Sequence, residues 1–258
     1  MIHRGRQRHK THGGIPHGST LNFGAGLQIY YRHKEGITSE SITTTQEDDS
    51  TSTTTNVSAW ADQSTNANNA TQTTDEAEPL FAADGSLDFF HDADSDNADF
   101  MNLTSFRVDA DTDFLCFIVA QPRDVNAGCY LSDSGAETFE YQNENNQRFK
   151  TGAGTTIVRF NTDGGVQTPN DEKSLVMVER TNGSTGTIMG YKNGLQIDSS
   201  VTNAAQFDVK NLGSKNDTAN YFDGKIYDIG IIEGTVTADY RNRIVDHLLS
   251  KHGLERLA

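Results

Sequence analysis

Apolar residues recur along most of this chain in short runs separated by polar turns, and only near its end do they recur at helical steps. The most continuous run, residues 114–120 (FLCFIVA), predicts a central strand buried on both faces. Leu27–Tyr31 sets Leu27 and Ile29 against Gln28 before two tyrosines and predicts a first strand. Further short apolar pieces stand at 57–61, 80–81, 87–90, 100–103, 129–131, 138–141, 148–150, 155–160, 174–179 and 187–191. Asn193-Gly194 marks a tight hairpin, because both residues tolerate positive φ. Residues 221–232, β-branched and aromatic with glycines at Gly224 and Gly230, predict a last strand. The polar, threonine-rich residues 35–56 read as a long surface loop or as a hairpin with a solvated outer face.

From Thr237 the period changes. Tyr240, Ile244, Val245, Leu248 and Leu249 fall on one face of a helix over about residues 237–252. Thr237 or Thr235 caps its start, Asp239 lies in the first turn, and Lys251 and His252 precede Gly253. Strands joined by turns, closed by one amphipathic helix, describe an all-β antiparallel sandwich rather than a parallel sheet.

Charge divides the chain. The formal net charge is −15, yet residues 1–34 hold Arg4, Arg6, Arg8, Lys10, Arg32 and Lys34 and no acid, leaving −21 on the rest. Residues 1–20 are therefore expected to be a basic extended arm, and 21–258 the sandwich with its helix. Arg4, Arg6, Arg8 and Lys10 are the candidate partner-binding residues, pairing with acidic surface on a neighbouring subunit. The acidic body opposes a nucleic-acid partner. His3, His9, His12, His17 and His33 add titratable charge to that region without the spacing of a metal site. Cys116 and Cys129 are too few for a disulfide framework, and a bridge between them is not favoured. No apolar signal core and no run of about 18 apolar residues is present, so a product made in a cytoplasm with no membrane partner is expected.

The order of Leu27–Tyr31, then VSAWADQSTNANNATQ at 57–72, Pro79, KNG at 192–194, FDGKIYDIGII at 222–232 and a last helix ending Lys251-His252-Gly253-Leu254 resembles the concanavalin A-like lectin/glucanase jelly roll. It is similar in particular to the laminin G-like branch found in structural proteins of tailed bacteriophages. The resemblance spans about residues 21–254 and implies a jelly-roll β-sandwich. It implies a non-enzymatic virion protein, a capsid decoration or cement protein anchored by its arm, with other virion proteins and copies of itself as partners. The alternatives are a tail, fibre or baseplate component, or a carbohydrate-binding module recognising host surface glycan. Where that branch carries turn glycines, this chain has Thr65-Asn66-Ala67-Asn68-Asn69.

Candidate chemistry is sparse. Trp60, Tyr30 and Tyr31 are the candidate glycan-binding aromatics, weighed against a packing role; Tyr130, Tyr141 and Tyr221 could serve a sugar site or an interface. The densest acidic cluster holds Asp88, Asp92, Asp94, Asp96 and Asp99, and Asp92, Asp94 and Asp96 imitate the start of a calcium loop. Asn97 stands where that loop needs glycine and Leu103 where it needs glutamate, so no EF-hand is present, and a looser calcium site on a loop or a solvated acidic turn are the alternatives left. The Glu-x-Asp-x-x-Glu motif of the fold's glycosidases is absent, and Glu137 and Glu140 are spaced to face opposite sides of a strand. No catalytic residue is expected.

Overall fold

Successive residues of the strand Phe114–Pro122 enter two different cores. Phe114, Cys116, Ile118 and Ala120 belong to one buried cluster, and Leu115, Phe117 and Val119 to a second. A strand alternates its side chains between faces, so apolar residues at every position need cover on both sides. That requirement organises the molecule into three layers: a sheet, a second sheet against its inner face, and a helix against its outer face.

The computed structural model describes residues 23, 26–45, 51–92, 97–123, 128–133, 137–143, 146–152, 156–159, 171–197, 200–215 and 220–257. In chain order the strands are β1 (Leu27–Tyr31), β2 (Ile37–Thr45), β3 (Thr51–Trp60), β4 (Ala70–Thr71), β5 (Leu80–Phe81), β6 (Leu87–Phe89), β7 (His91–Asp92), β8 (Asn97–Ala98), β9 (Met101–Val108) and β10 (Phe114–Pro122). There follow β11 (Gly128–Ser132), β12 (Thr138–Asn143), β13 (Asn146–Thr151), β14 (Thr156–Arg159), β15 (Ser174–Thr181), β16 (Thr187–Lys192), β17 (Leu195–Gln196), β18 (Val201–Thr202), β19 (Phe207–Leu212), β20 (Gly224–Glu233) and the helix α1 (Ala238–His252).

In the first sheet the order is β16, β15, β10, β20, with β1 and β6 both on the far edge of β20. The second runs β14, β13, β12, β11, β19, β9, β4, β3, β2; β5 pairs with both β3 and β6 and so joins the two sheets, and every pairing is antiparallel. Between them lie Phe114, Phe139, Phe149 and Phe207 in mutual ring contact, with Trp60, Tyr31 and Tyr130 fully buried. This is the antiparallel β-sandwich with one carboxy-terminal helix that the sequence predicts. The basic arm of residues 1–20, with Arg4, Arg6, Arg8 and Lys10, lies outside the described residues.

The helix forms where its period places it. Thr237 Oγ1 accepts the Tyr240 N–H at 3.2 Å, and Gly253 closes the other end in the left-handed region at φ 65°. Ile244, Val245, Leu248 and Leu249 bury against Leu115, Phe117, Val119, Leu175 and Met177 on the outer face of the first sheet. A β-bulge tunes that face. Val119 pairs with Asp228 but Ala120 with Ile226, so the extra residue turns both Tyr227 and Asp228 toward the helix side.

The Asn193-Gly194 hairpin forms as expected, with φ of 44° and 85° between Lys192 and Leu195. Within the threonine-rich stretch, β2 pairs with β3 from Ile37↔Trp60 to Thr45↔Thr51, the hairpin alternative of the sequence reading. The sequence reading missed β19, a central strand of the second sheet whose Asp208, Lys210 and Asn211 disguise a strand held on both edges. Cys116 and Cys129 are buried free thiols.

Candidate functional site

On its outer face past the helix, at the ends of β6, β10 and β20, the first sheet is only half-covered, with Asp88, Gln121, Arg123 and Lys225 partly exposed and Tyr227 buried. Gly224 pairs with Phe89 on one side and Pro122 on the other, so Phe90, Asp223 and Arg123 emerge side by side at one corner. Strand alternation buries Leu87 and Phe89 and sends Asp88 and Phe90 outward. Phe90 is 51% exposed, the one large apolar side chain so exposed among the described residues.

Arg123 ties the corner together. Its Nη1 donates to Asp223 Oδ1 at 2.5 Å, its Nη2 to Asp88 Oδ1, and its backbone N–H to the Asp223 carbonyl at 2.9 Å. Beneath it lies Asp99, buried, whose Oδ2 accepts the Phe90 N–H at 2.8 Å while its own N–H donates to the Phe90 carbonyl at 2.9 Å. Burial, reinforced by the nearby carboxylates of Asp88 and Asp223, pushes the Asp99 carboxyl up to about 7.

Along the same face Lys225 Nζ and the Tyr227 hydroxyl lie 3.2 and 3.0 Å from Asp84 Oδ2, and Ser86 donates from Oγ and N to Oδ1 at 2.6 and 3.1 Å. Burial alone would raise the Asp84 carboxyl, but these bonds from Ser86, Lys225 and Tyr227 hold it well below the usual carboxylate range. Gln121 Oε1 is 2.9 Å from the Tyr227 hydroxyl, and Lys173 Nζ sits 4.6 Å over the Tyr227 ring. Asp84, Asp88 and Asp223 are each held by a cation. The patch therefore offers an exposed ring beside oriented donors and acceptors, a combination suited to a neutral polyhydroxylated ligand.

The aromatics singled out from sequence lie elsewhere. Trp60 and Tyr31 are 0% exposed and in ring contact at 5.4 Å, and Tyr30 is 4% exposed against Phe23 and Phe117. Trp60 Nε1 donates to the carbonyls of Arg32 and Glu35 at 3.2 and 3.1 Å, satisfying its one donor inside the fold. None of the three presents a face to a sugar; their bulk fills the cores. Tyr130 and Tyr141 are core residues too, while Tyr221 is half-buried with its ring 6.2 Å from that of Phe100.

Of the candidate calcium ligands, Asp94 and Asp96 lie outside the described residues, and Asp92 is described only in its backbone, in β7. The structure gathers a different set. Oxygens of Asp133, Glu137 and Asp208 lie within 4.8 Å of one another, all three residues being buried. Lys210 Nζ already stands 2.7 Å from Asp133 Oδ1, and Arg107 donates from Nε and Nη2 to Asp208 at 2.5 and 2.7 Å, so side-chain cations meet this charge. Burial, with Asp208 and Asp133 beside it, raises the Glu137 carboxyl. Glu137 and Glu140 part company: Glu137 accepts the Asp208 N–H, and Glu140 pairs with Arg148 across β12 and β13.

Sequence reasoning missed Phe90, Arg123 and Asp223. The available signal was aromatic and acidic residues alternating in LDFFHDADSDNAD, opposite a strand that opens Asp223-Gly224.

No known family model matches the chain, and no curated protein matches it in sequence. Among solved structures it is similar to the binding domain of Paraclostridial Mosquitocidal Protein 1, at 14% identity and TM-score 0.48 over 86% of this chain and 53% of that one. It is similar to domain 4 of AbnA, a GH43 extracellular arabinanase from Geobacillus stearothermophilus solved with arabinotriose, at 12% identity and TM-score 0.47 over 86% and 97% of the two chains. It is similar as well to the botulinum neurotoxin type G receptor-binding domain, at 15% identity and TM-score 0.46 over 75% and 48%. The chain thus spans about half the length of the first and third of these.

Proposed function

We propose that this chain is a non-catalytic binding module that recognises a neutral glycan at the corner formed by Phe90, Asp88, Arg123 and Asp223. The observation that carries the reading is Phe90, 51% exposed on a folded sheet beside a closed ion-pair network. The ring packs against the C–H face of a pyranose, and the carboxylates and Arg123 take its hydroxyls. Local charge bears on the ligand class: Arg123 and Lys225 are already paired with Asp88, Asp223 and Asp84, so the patch is nearly charge-balanced and has no free cation of these two to hold an anionic sugar. Titration calorimetry of the full chain against a panel of neutral and sialylated oligosaccharides tests this. Saturable binding to a neutral glycan, lost in Phe90→Ala with the fold intact, supports the reading. Silence across the panel, or binding unchanged in Phe90→Ala, overturns it.

The second reading is a structural component of a tailed-phage particle, either on the capsid surface or in the tail. It draws on the six basic residues and absence of acids in residues 1–34 against an acidic body. In that reading the protein resides in a virion, and its arm fastens it to other virion proteins. Deletion of residues 1–20 then abolishes incorporation into the particle while leaving the sandwich folded.

A further inference from the structure

The hairpin β2–β3 has one side that no described strand covers. β3 is fixed at its root by pairing at Asn56 with Leu80 of β5 and at Ala59 and Trp60 with β4. β2 pairs with β3 alone among the described strands, from Ile37↔Trp60 to Thr45↔Thr51. Among the described residues its other edge therefore leaves unpaired the N–H and C=O groups of every second residue of this nine-residue strand, and Thr38, Ser39, Glu40 and Ser41 are exposed. Two-stranded ribbons are marginally stable alone, and natural sheets protect such an edge with lysine, proline or brevity. This edge has none of those. Ile37–Thr45 reads ITSESITTT, and Glu40 is its one charge. A bulge between Thr38 and Ser39 is its one irregularity, near the root.

We infer that the free edge of β2 joins the same edge of a second copy, antiparallel about a two-fold axis at Ser41, to make a continuous sheet through two molecules. The sequence favours a copy of itself over another partner. Ser41 is the middle residue of β2, so a two-fold there sets Glu40 opposite Ile42, Ser39 opposite Thr43 and Thr38 opposite Thr44 of the other chain. No like charges meet, and β-branched residues that pair well across strands do. The net charge of −15 works against any self-association, so added salt tightens this one.

Sedimentation velocity of the full chain from about 1 µM to about 500 µM, at low and high salt, is the test. The expected result is a concentration-dependent shift from monomer to dimer that strengthens with salt. Replacing residues 42–54 with Asn-Gly, which keeps the root pairing of Ser41 with Thr55, leaves a monomer of unchanged melting temperature. The sharper measurement uses Ser41→Lys and Ser41→Asp. Each alone dimerises about fivefold more weakly, and an equimolar mixture recovers a one-to-one dimer, because the axis brings position 41 against itself. A full chain that stays monomeric throughout overturns the inference. So does a dimer that survives shortening of the hairpin, which places the contact elsewhere, or charge variants that fail to complement one another. Glycan binding at the Phe90 corner is read separately and is unaffected by either result.

Discussion

The ring of Phe117 occupies the volume that a Cβ on Gly230 would need. The two residues are register partners across β10 and β20, and Phe117 is held there by Phe23, stacked at 5.7 Å, and by Tyr30, edge-on at 6.0 Å. A glycine inside a strand weakens it unless something must come close, and here an aromatic ring does. Gly230→Ala is expected to cost about 1–3 kcal/mol by overpacking, measured by urea unfolding. Combining it with Phe117→Leu recovers part of the loss, as a double-mutant cycle would show.

Asp228 is fully buried and holds three parts of the chain. Lys251 Nζ donates to both its oxygens at 2.9 Å, His252 Nε2 is bonded to Oδ2, and the His33 N–H donates to Oδ1 at 3.1 Å. Burial would raise this carboxyl, but His252 and Lys251 outweigh it and hold it below its ordinary value. Asp228→Ala is expected to destabilise by about 3–5 kcal/mol at pH 7, because it leaves the Lys251 ammonium and the buried His252 ring without their acceptor. A depressed carboxyl contributes stability above its unfolded value of about 3.9 and loses it as pH falls through the folded one. Guanidinium melts at pH 7, 5 and 3 should show a deficit constant between the first two and smaller at the third.

Asp99 has the opposite sign. Its carboxyl lies at about 7 in the fold and about 3.9 when unfolded, so the folded state holds the extra proton between those values. Stability from this group is fully present below pH about 4 and is lost as pH rises through about 7. Asp99→Asn keeps an acceptor for the Phe90 N–H and removes the charge. The variant should match the parent near pH 4 and exceed it at pH 8, with a ceiling of about 4 kcal/mol, in thermal melts across that range.

Cys116 and Cys129 lie on different strands, and burial pushes both thiols well above their usual value. The thiolate is the reactive species. Both should resist a disulfide reagent such as Ellman's in the folded protein and react together after denaturation. Fast labelling of either in the native state would contradict the packing described.

The helix and the main strands were legible because their signals are local. Thr237, the Tyr240-to-Leu249 spacing and Gly253 specify α1 without reference to anything else, and Asn193-Gly194 specifies its turn. The FLCFIVA run announced a strand covered on both sides. β19 was not legible, because Asp208 and Lys210 find their counter-charges, Arg107 and Asp133, on segments distant in sequence. The corner at Phe90 stayed hidden for a similar reason. Its residues come from β6, from the end of β10 and from the start of β20, and only the pairing through Gly224 brings them together. Trp60 is the converse case: a lone tryptophan near a polar turn suits a sugar platform or a packing anchor, and its contacts with Tyr31, Arg32 and Glu35 make it the anchor.

The carboxylate of Asp228 joins position 33 to positions 251 and 252, segments far apart along the chain. β10 lacks one neighbour until β20 is made, and Leu115, Phe117 and Val119 lack their cover until α1 is made. During synthesis, at about 5–20 residues per second, the first sheet therefore cannot close until β20 and α1 have left the ribosome. Until then an apolar strand stands ready-made and uncovered. A nascent chain of this kind invites chaperone holding, and a stop codon shortly before Lys251 would yield an aggregate rather than a shortened, working domain.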